Sequence, residues 1–377
     1  MKLPRVVILF LLITRPVLAV AFADTSLTCD TVGQSTVTLH RGYSRVEYTL
    51  PDSVKEEFRR KLVNFKTDIY QNCNSHIDES STVLKSVLPV DLVSVIQSMK
   101  DRNEPTALVI HNMPIDEYIP PTPQNGNKPP VKQFDKAGKE IYDNNSKGLV
   151  SEASILGVAG LLDAIPDFED QEKDGACIHQ IIPRDDPKSK AQESSFGSEI
   201  PFEPHTENVY HEPPIKYFAL ECLRADPKVA TSIIFLDDIL AFAKDNMPDG
   251  MSYEWFVEQL YKPQFSMRTG PSFENSDGVQ RTLPILSITE KGERLFRLNL
   301  NKGRTVGLTP EAIKIINFFK NIFANQSFKE NYITKIYLQT GDFLLFNNWE
   351  VMHARDAFKI DQDNWRWLQR CYFKINN

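Results

Sequence analysis

The sequence predicts a mainly β fold of the sandwich or jelly-roll type, with helical insertions and a helical part before it. Several short β-like runs follow residue 178, and loops rich in turn residues separate them. Two helical segments interrupt these runs. Strands and helices do not alternate regularly, and no glycine-rich phosphate loop stands at a strand–helix junction, which argues against a dinucleotide-binding fold.

The first 23 residues form a signal-peptide-like leader. Lys2 and Arg5 precede the apolar run Val6–Ile13, and Ala21–Ala23 supplies the small-residue pattern of a cleavage site. An arginine and a proline then interrupt the run, which is shorter than the roughly 20 apolar residues of a membrane-spanning helix. We therefore expect a secreted or periplasmic protein with no stable membrane span after leader removal. A cytoplasmic or membrane-associated protein with an uncleaved tail is the alternative.

The amino-acid composition limits the classes of protein to which the chain can belong. The chain has 377 residues, of which 41% are hydrophobic and 25% charged, so it can bury a sizeable core. Its formal net charge of -7 gives no sign of a nucleic-acid partner. We expect one domain over residues 24–377, with a helical part at about 50–165 and a jelly-roll core at about 178–377.

The cysteines match no zinc-binding spacing, and their number, five, is odd. Cys29 and Cys73 are a possible disulfide pair if the chain is exported. Cys222 and Cys371 lie in apolar strand-like runs, where buried free thiols are expected.

In the first part of the domain, apolar residues recur at helical spacing among charges. This pattern predicts helices over Asp52–Tyr70, Thr82–Met99 and Gly148–Ile165. A short strand is expected at Leu108–Ile110. The proline-, glycine- and asparagine-rich residues 120–130 predict a loop or lid.

The second part carries the β-like runs. The predicted strands are Tyr217–Leu223, Ser232–Leu236, Leu283–Thr289, Leu295–Leu300, Ile336–Gln339, Phe343–Phe346 and Trp367–Ile375. The predicted helices are Tyr253–Tyr261 and Pro310–Phe323, and Thr309 is expected to cap the second one.

Three residues suggest a metal site. His205 and Glu207 stand two apart, so on an extended strand both project to one side. His353 follows far downstream, after a turn and a buried strand. Two histidines and one carboxylate on one face form the facial triad of non-haem Fe(II) oxygenases. The pattern H-x-E alone is weak, however, because most strand histidines are simply packed side chains.

Two arginines strengthen the iron hypothesis. Arg366 and Arg370 lie thirteen and seventeen residues past His353, four apart, and share a face on a regular strand. A guanidinium fork suits bidentate binding of a carboxylate. Surface ion pairing is the simpler alternative. Among the other histidines, His211 could be a ligand but more simply lines the pocket wall, and the rest are interpreted as structural: His40, His76, His111 and His179.

At this point the sequence resembles a known family. Matching motifs occur in order at Gln180–Pro183, Ser194–Ser198, Phe202–Pro214, Ala219–Arg224, Gly341–Leu344 and His353–Arg370. They are similar to the clavaminate synthase-like enzymes of the taurine dioxygenase superfamily, in particular the branch of asparagine and arginine oxygenases. The resemblance implies a distorted double-stranded β-helix with helical insertions.

The resemblance also implies roles for single residues. His205, Glu207 and His353 would bind Fe(II). Arg366 would bind the distal carboxylate of 2-oxoglutarate, although the segment after His353 is one residue shorter than usual, which leaves open whether Arg366 or Arg370 is the primary arginine. Thr231, or Ser232 in its place, would donate a hydroxyl to the co-substrate carboxylate. Arg370 would line the same pocket. Gln180, Ser195 and Ser198 would contact the substrate.

The implied activity is Fe(II)- and 2-oxoglutarate-dependent oxidation, with O2, of a free amino acid or amino-acid-like small molecule, coupled to decarboxylation of 2-oxoglutarate to succinate. Related halogenases lack the carboxylate ligand, so Glu207 implies hydroxylation or desaturation. Asn299 and Asn301 stand where arginine-specific relatives place acidic residues. They would suit an uncharged side chain, or they simply form a polar strand end.

Two other classes remain open. The first is a degenerate jelly roll that only binds a partner. The second is a zinc hydrolase with the same ligands, although no general-base motif stands nearby.

Overall fold

The computed structural model describes residues 37–40, 44–62, 72–119, 121–122, 133–134, 140–141, 149–167, 176–269, 279–361 and 365–375. The leader, Cys29 and most of the proline-rich segment 120–130 lie outside these ranges. Within them, no helix is long and apolar enough to cross a bilayer.

The protein is a mixed α/β molecule with several sheets. Its described helices are α1 (Asp52–Lys61), α2 (Ile77–Val87), α3 (Val90–Arg102), α4 (Val150–Leu161), α5 (Pro187–Lys190), α6 (Leu236–Asp245), α7 (Tyr253–Leu260), α8 (Pro310–Ala324) and α9 (Gln326–Tyr332). Its described strands are β1 (Val37–His40), β2 (Arg45–Thr49), β3 (Ala107–His111), β4 (Gln133–Phe134), β5 (Glu140–Ile141), β6 (Ala164–Pro166), β7 (Ile178–Ile181), β8 (Phe202–His205), β9 (Tyr217–Arg224), β10 (Thr231–Phe235), β11 (Phe265–Arg268), β12 (Gln280–Leu283), β13 (Leu286–Ile288), β14 (Arg294–Phe296), β15 (Thr305–Gly307), β16 (Thr334–Ile336), β17 (Phe343–Asn347), β18 (Val351–Arg355) and β19 (Trp367–Ile375).

Two sheets face each other across one apolar layer. The large sheet has the order β1-β2-β3-β17-β9-β19-β6, with β7 also paired to β19, and the small sheet has the order β16-β10-β18-β8. One buried cluster contains Phe218, Leu344 and Tyr372 of the large sheet together with Ile233 and Val351 of the small sheet. Such face-to-face packing hides the inner face of both sheets from water.

The helices α1 to α4 cover the outer face of the large sheet. Helix α4 is buried on almost every side and packs tightly on α2. A Cβ atom at Gly157 would lie 2.8 Å from a side-chain carbon of Leu84, and one at Gly160 would lie 2.5 Å from Cβ of Ser81. The two glycines therefore permit the close approach of α4 to α2.

The helices α6 to α9 cover the outer face of the small sheet. Their core cluster contains Phe256, Phe319 and Phe328 together with Ile234 and Met352 of the sheet. Helix α8 begins as predicted, because Thr309 Oγ1 accepts a hydrogen bond of 3.0 Å from the backbone N–H of Ala312. The central strands of each sheet are thus buried on both faces, and the site lies toward the β8 edge of the small sheet.

The structure corrects several predicted bounds. The second predicted helix is two helices, α2 and α3, because Leu88 and Pro89 take extended backbone between them. The predicted strand Leu283–Thr289 is also divided, into β12 and β13, around Pro284. Helices α6 and α9 were not predicted.

Candidate metal centre

His205 and His353 lie opposite each other on neighbouring strands of the small sheet. The two residues pair across β8 and β18, and their ring centroids are 4.1 Å apart. Glu207 follows two residues after His205, and the ligand atoms of all three side chains lie within 4.8 Å of one another. The three residues are buried and could hold a metal ion.

The backbone around Glu207 differs from the sequence-based expectation. Strand β8 ends at His205, and Glu207 begins a turn in which Asn208 has a positive φ of 53°. The buried amide of Asn348 holds this turn in place. Its Oδ1 accepts a 2.7 Å hydrogen bond from the Glu207 N–H, and its Nδ2 donates to the Glu207 carbonyl. The carboxylate therefore faces the histidines although the strand does not continue.

The hydrogen bonding of His205 leaves one ring nitrogen for a ligand. Nδ1 lies 2.7 Å from the Glu203 carbonyl oxygen, which can only accept, so Nδ1 carries the proton. Nε2 is buried and has no hydrogen-bond partner among the described residues. An unprotonated Nε2 oriented by a carbonyl on Nδ1 is the usual state of a metal-bound histidine, so the donor set fits a divalent metal.

The electrostatics favour the same state. Burial, together with the adjacent His205, lowers the pKa of His353 to about 4. Burial opposes ionisation of Glu207, but the neighbouring imidazoles of His205 and His353, whose Nε2 atoms lie 3.7 Å and 3.3 Å from its Oε1, and the charge of Arg370 outweigh it and hold the Glu207 pKa well below its usual value. At neutral pH the site thus presents a neutral His353 and a carboxylate, the protonation states that metal binding requires.

Arg366 and Thr231 lie together, as the resemblance implies. Arg366 immediately precedes β19, and its Nη2 donates a buried 2.9 Å hydrogen bond to Thr231 Oγ1 at the start of β10. Burial lowers the pKa of Arg366. The pair brings a guanidinium of the large sheet and a hydroxyl of the small sheet to one point, which suits a carboxylate ligand.

Arg370 lies closer to the metal donors. Its Nη1 is 3.9 Å from Glu207 Oε1, and its Nη2 is 3.0 Å from His179 Nδ1. His179 Nε2 donates to the Ala176 carbonyl, so Nδ1 is the acceptor for Arg370. The guanidinium also lies 4.5 Å from the ring centroid of Tyr372. His179, interpreted from sequence as purely structural, therefore positions Arg370.

A cavity opens beside the metal donors. It is lined by Glu193, Ser194, Ser195, Phe202, His205, Glu207, Asn208, Val209, Tyr210, Arg268, Asn299, Arg304 and Arg370. Of the residues that the sequence suggested for substrate contact, Ser195 and Asn299 are in this lining. Arg366 and Thr231 are not.

The other suggested substrate residues lie outside this lining. Gln180 accepts a 2.7 Å hydrogen bond from Trp367 Nε1. Ser198 is buried. Asn301 is 2% exposed, and its side chain hydrogen-bonds the N–H and the carbonyl of Glu203. These contacts favour a structural role for Asn301, since it joins β8 to the segment that carries Asn299.

Several residues of the site carry no signal in the sequence. Glu193, Arg268 and Arg304 line the cavity but belong to no motif. Arg355 is buried, and its Nη1 donates to the carbonyls of Ser194 and Ser195. It thereby holds the segment that forms one cavity wall. His211, by contrast, is not among the three clustered donors.

Comparison with known proteins now identifies the family. The model of the taurine catabolism dioxygenase TauD, TfdA family matches residues 161–372. The chain belongs to this family. An L-asparagine oxygenase from Streptomyces coelicolor is 24% identical over 278 residues, which is 72% of this chain and 72% of the relative.

Solved structures share the fold. An asparagine oxygenase in complex with Fe(II), 2S,3S-3-hydroxyasparagine and succinate has a TM-score of 0.66 at 21% identity, covering 87% of this chain and 93% of its own. The non-haem iron oxygenase OrfP in complex with Fe and alpha-ketoglutaric acid has a TM-score of 0.61 at 18% identity, and the match covers 88% of this chain and 94% of the OrfP chain.

Family membership and the donor set agree. The chain is a 2-oxoglutarate-dependent dioxygenase of the TauD type. The buried group of His205, Glu207 and His353 could hold a metal ion, and the two solved structures above contain iron. The comparisons thus confirm the resemblance to asparagine and arginine oxygenases that the sequence motifs indicated.

Proposed function

We propose that this protein is an Fe(II)- and 2-oxoglutarate-dependent oxygenase that hydroxylates or desaturates a free amino acid or an amino-acid-like small molecule. The observation that carries the proposal is the group of His205, Glu207 and His353, in which the buried Nε2 of His205 has no hydrogen-bond partner among the described residues, and in which His205 and Glu207 line a cavity. Relatives that act on asparagine and bind hydroxyarginine support the substrate class.

Two histidines and one carboxylate, His205, Glu207 and His353, would hold the iron and are the donor set of non-haem Fe(II) oxygenases, which bind a 2-oxo acid and O2 as co-substrates. Iron held by His205, Glu207 and His353 would supply the redox chemistry of hydroxylation, in which 2-oxoglutarate and O2 are converted to succinate and CO2 and the second oxygen atom enters a substrate C–H bond. The protein supplies orientation and exclusion of water. Arg366 and Thr231 would bind the distal carboxylate, and Arg370, held by His179, would face the carboxylate next to the metal.

We infer that the two facing sheets form a distorted double-stranded β-helix. Central strands of both sheets are buried on both faces, and one apolar cluster joins their inner faces. The family match over residues 161–372 supports the same fold for the core. We also propose that residues 24–377 form one domain.

Iron binding and succinate release test the function. We expect the purified protein to bind Fe(II) under anaerobic conditions and to release succinate from 2-oxoglutarate when one of the free amino acids is present. His205→Ala should bind the metal far more weakly, because two ligands replace three. Equal metal affinity in His205→Ala and wild type would refute the iron assignment.

The same experiment separates the alternatives. A degenerate binding module would release no succinate with any amino acid. A zinc hydrolase would bind Zn²⁺ and act without 2-oxoglutarate or O2. Lys262→Ala is a suitable control, since this exposed residue lies outside the cavity lining and makes none of the contacts that hold the metal donors.

We further propose that the leader directs export, to a compartment that supplies Fe(II) and 2-oxoglutarate. The positive charges, apolar run and small residues of the leader support this. Sequencing the N-terminus of the mature chain is the test. A mature chain that still begins at Met1 would contradict cleavage.

A further inference from the structure

Two arginines that no motif indicated lie side by side in the cavity wall. Strands β11 and β15 are antiparallel, with Met267 opposite Thr305 at the last registered pair. The backbone N–H of Arg268 donates a 3.0 Å hydrogen bond to the carbonyl of Arg304, so these two residues are the next pair. Residues directly opposite across a ladder project to the same side. Both arginines line the cavity that contains His205 and Glu207.

Among the residues that the structure describes, the guanidinium of Arg304 has no hydrogen-bond or ion-pair partner. Arg304 is 8% exposed, and its side chain forms no hydrogen bond and no ion pair with the residues that the structure describes. Its pKa is lowered by burial, which the more distant charges of Glu193, Tyr210 and Glu207 oppose. A buried cation without a hydrogen-bonded counterion is costly. The cost is offset when an anion binds.

The side chain of Arg268 adds to this cost. It is exposed and likewise forms no ion pair or hydrogen bond with the described residues. Like charges directly opposite each other in a ladder destabilise a sheet. Two unpaired guanidinium groups on one wall of a cavity therefore form a binding site for an anionic group. We call Arg268 and Arg304 the arginine pair.

The amide of Asn299 presents a donor to the same cavity. Its Oδ1 accepts hydrogen bonds from the backbone N–H of Asn301, at 3.1 Å, and from Asn301 Nδ2, at 2.9 Å. Since a backbone N–H can only donate, the Oδ1 position is fixed. The side-chain NH₂ of Asn299 therefore remains available to donate a hydrogen bond to a ligand. The cavity wall thus offers donors from Arg268, Arg304 and Asn299.

Acidic groups in the lining are few. Besides Glu207, the described lining contains the carboxylate of Glu193, whose Oε2 accepts a 2.7 Å hydrogen bond from the Lys302 N–H. One carboxylate suits one ammonium group. A substrate with a cationic side chain would place a second positive charge beside the arginine pair, which would repel it.

We propose that the arginine pair binds a carboxylate on the side chain of the substrate, and that the preferred substrates are acidic amino acids. This proposal rests on the proposed oxygenase function. Glu193 is then left for the α-ammonium group of the substrate. A neutral side-chain amide would leave the buried Arg304 charge without a counterion, so amide substrates should bind more weakly than their acids.

A selectivity assay on the iron-loaded enzyme tests this proposal. L-aspartate, L-glutamate, L-asparagine, L-glutamine and L-arginine would be compared by anaerobic titration calorimetry of the enzyme with Fe(II) and 2-oxoglutarate, and by succinate release. We expect one of the two acids to bind about 10- to 100-fold more tightly than its amide, the lower end of the range for a buried charge pair. Tighter binding of an amide or of L-arginine would overturn the proposal.

Variants locate the effect. Arg304→Gln should weaken binding of the acid about 10- to 100-fold and bring its affinity near that of the amide, and Arg304→Lys should retain part of the preference. Arg281→Gln, on the neighbouring strand β12 and outside the cavity lining, is the matched control and should leave the preference unchanged. Equal weakening of acid and amide by Arg304→Gln would contradict the proposal.

The outcomes distinguish this proposal from the function itself. If amides or cationic amino acids alone elicit succinate, the oxygenase function stands and the arginine pair does not select the substrate. If no amino acid elicits succinate and Fe(II) does not bind, the oxygenase function fails and the substrate proposal fails with it. Fe(II) and 2-oxoglutarate binding by Arg304→Gln confirms that this variant is folded.

Discussion

The metal donors are oriented by single residues that do not themselves bind metal. Glu203 fixes the tautomer of His205 through its carbonyl, and Asn348 fixes the backbone of Glu207. Arg370 is held by His179 and lies against Tyr372. Outer contacts of this kind raise ligand basicity and set ring orientation, so their loss weakens a metal or cofactor site without removing a ligand.

Arg366 should control affinity for 2-oxoglutarate. We expect Arg366→Met to weaken 2-oxoglutarate binding about 10- to 100-fold, because a buried charge pair is lost, while Fe(II) binding persists. Arg366→Lys should be intermediate, since an ammonium lacks the planar fork. The measurement is anaerobic titration of 2-oxoglutarate into the Fe(II)-loaded protein. If Arg370→Met weakens binding and Arg366→Met does not, Arg370 is the primary arginine.

His179 should act through Arg370. In His179→Phe the ring volume remains but the Nδ1 acceptor is lost, so we expect a KM for substrate or 2-oxoglutarate raised about 10-fold, the lower range for outer-shell changes. His179→Asn keeps an acceptor and should recover part of the loss. Fe(II) affinity is the control and should not change. A His179→Phe enzyme with unaltered KM values would exclude the positioning role.

At the scale of elements, neighbouring strands of the large sheet are joined by charge as well as by backbone hydrogen bonds. His111 ends β3, where its Nδ1 lies 3.0 Å from Asp342 Oδ1 and its Nε2 lies 3.8 Å from Glu47 Oε2 on β2. Hydrogen bonds to Asp342 and then Glu47 raise the pKa of His111 to about 9. No motif in the sequence indicates a partner for this histidine, because its partners lie far away along the chain.

The contacts of His111 with Asp342 and Glu47 predict that the stability of the fold depends on pH. The pKa of His111 is higher in the folded than in the unfolded chain, so its stabilisation is complete below about pH 6.5 and is lost as the pH rises through about 9. His111→Gln should lower the free energy of unfolding by roughly 1 kcal/mol at pH 6, a modest value because the side chain is about one-third exposed. Urea unfolding at pH 6 and pH 10 is the measurement. The deficit of the variant should shrink at pH 10, and an equal deficit at both would contradict the assignment.

The candidate site draws on both sheets of the molecule. His205, Glu207 and His353 belong to the small sheet and its loop, whereas Arg366 and Arg370 belong to β19 of the large sheet and the residue before it. A ligand that contacts both groups joins the two layers. Since such a ligand cannot bind the unfolded chain in this way, it should stabilise the fold as a whole.

Thermal unfolding tests this coupling. With Mn²⁺ as an air-stable substitute for Fe(II), metal and 2-oxoglutarate together should raise the Tm more than the metal alone. At about 100 times the Kd, the gain for one ligand is about 2.7 kcal/mol, or several degrees for a chain of this size. His205→Ala should show little shift with either ligand. A shift of equal size in this variant would mean that the ligands bind elsewhere.

The sequence by itself determined the features that depend on short local patterns, namely single strands and helix starts. Strand Trp367–Ile375 was predicted with its observed bounds, and the capped start of α8 was predicted correctly, because apolar runs and capping residues act over a few residues. The clustering of the three candidate metal donors could also be predicted, since His205 and Glu207 stand two apart in sequence and His353 follows a recognisable turn and strand.

Tertiary structure decided what depends on residues distant in sequence. Only the folded chain places Arg304 beside Arg268, His179 against Arg370, and Asn348 beneath Glu207. None of these pairs has a fixed spacing, because strand pairing and sheet packing bring together segments that lie anywhere along the chain. The candidate metal ligands can therefore be predicted from the sequence. The pair of arginines in the cavity wall, which we propose selects the substrate, is visible only in the folded chain.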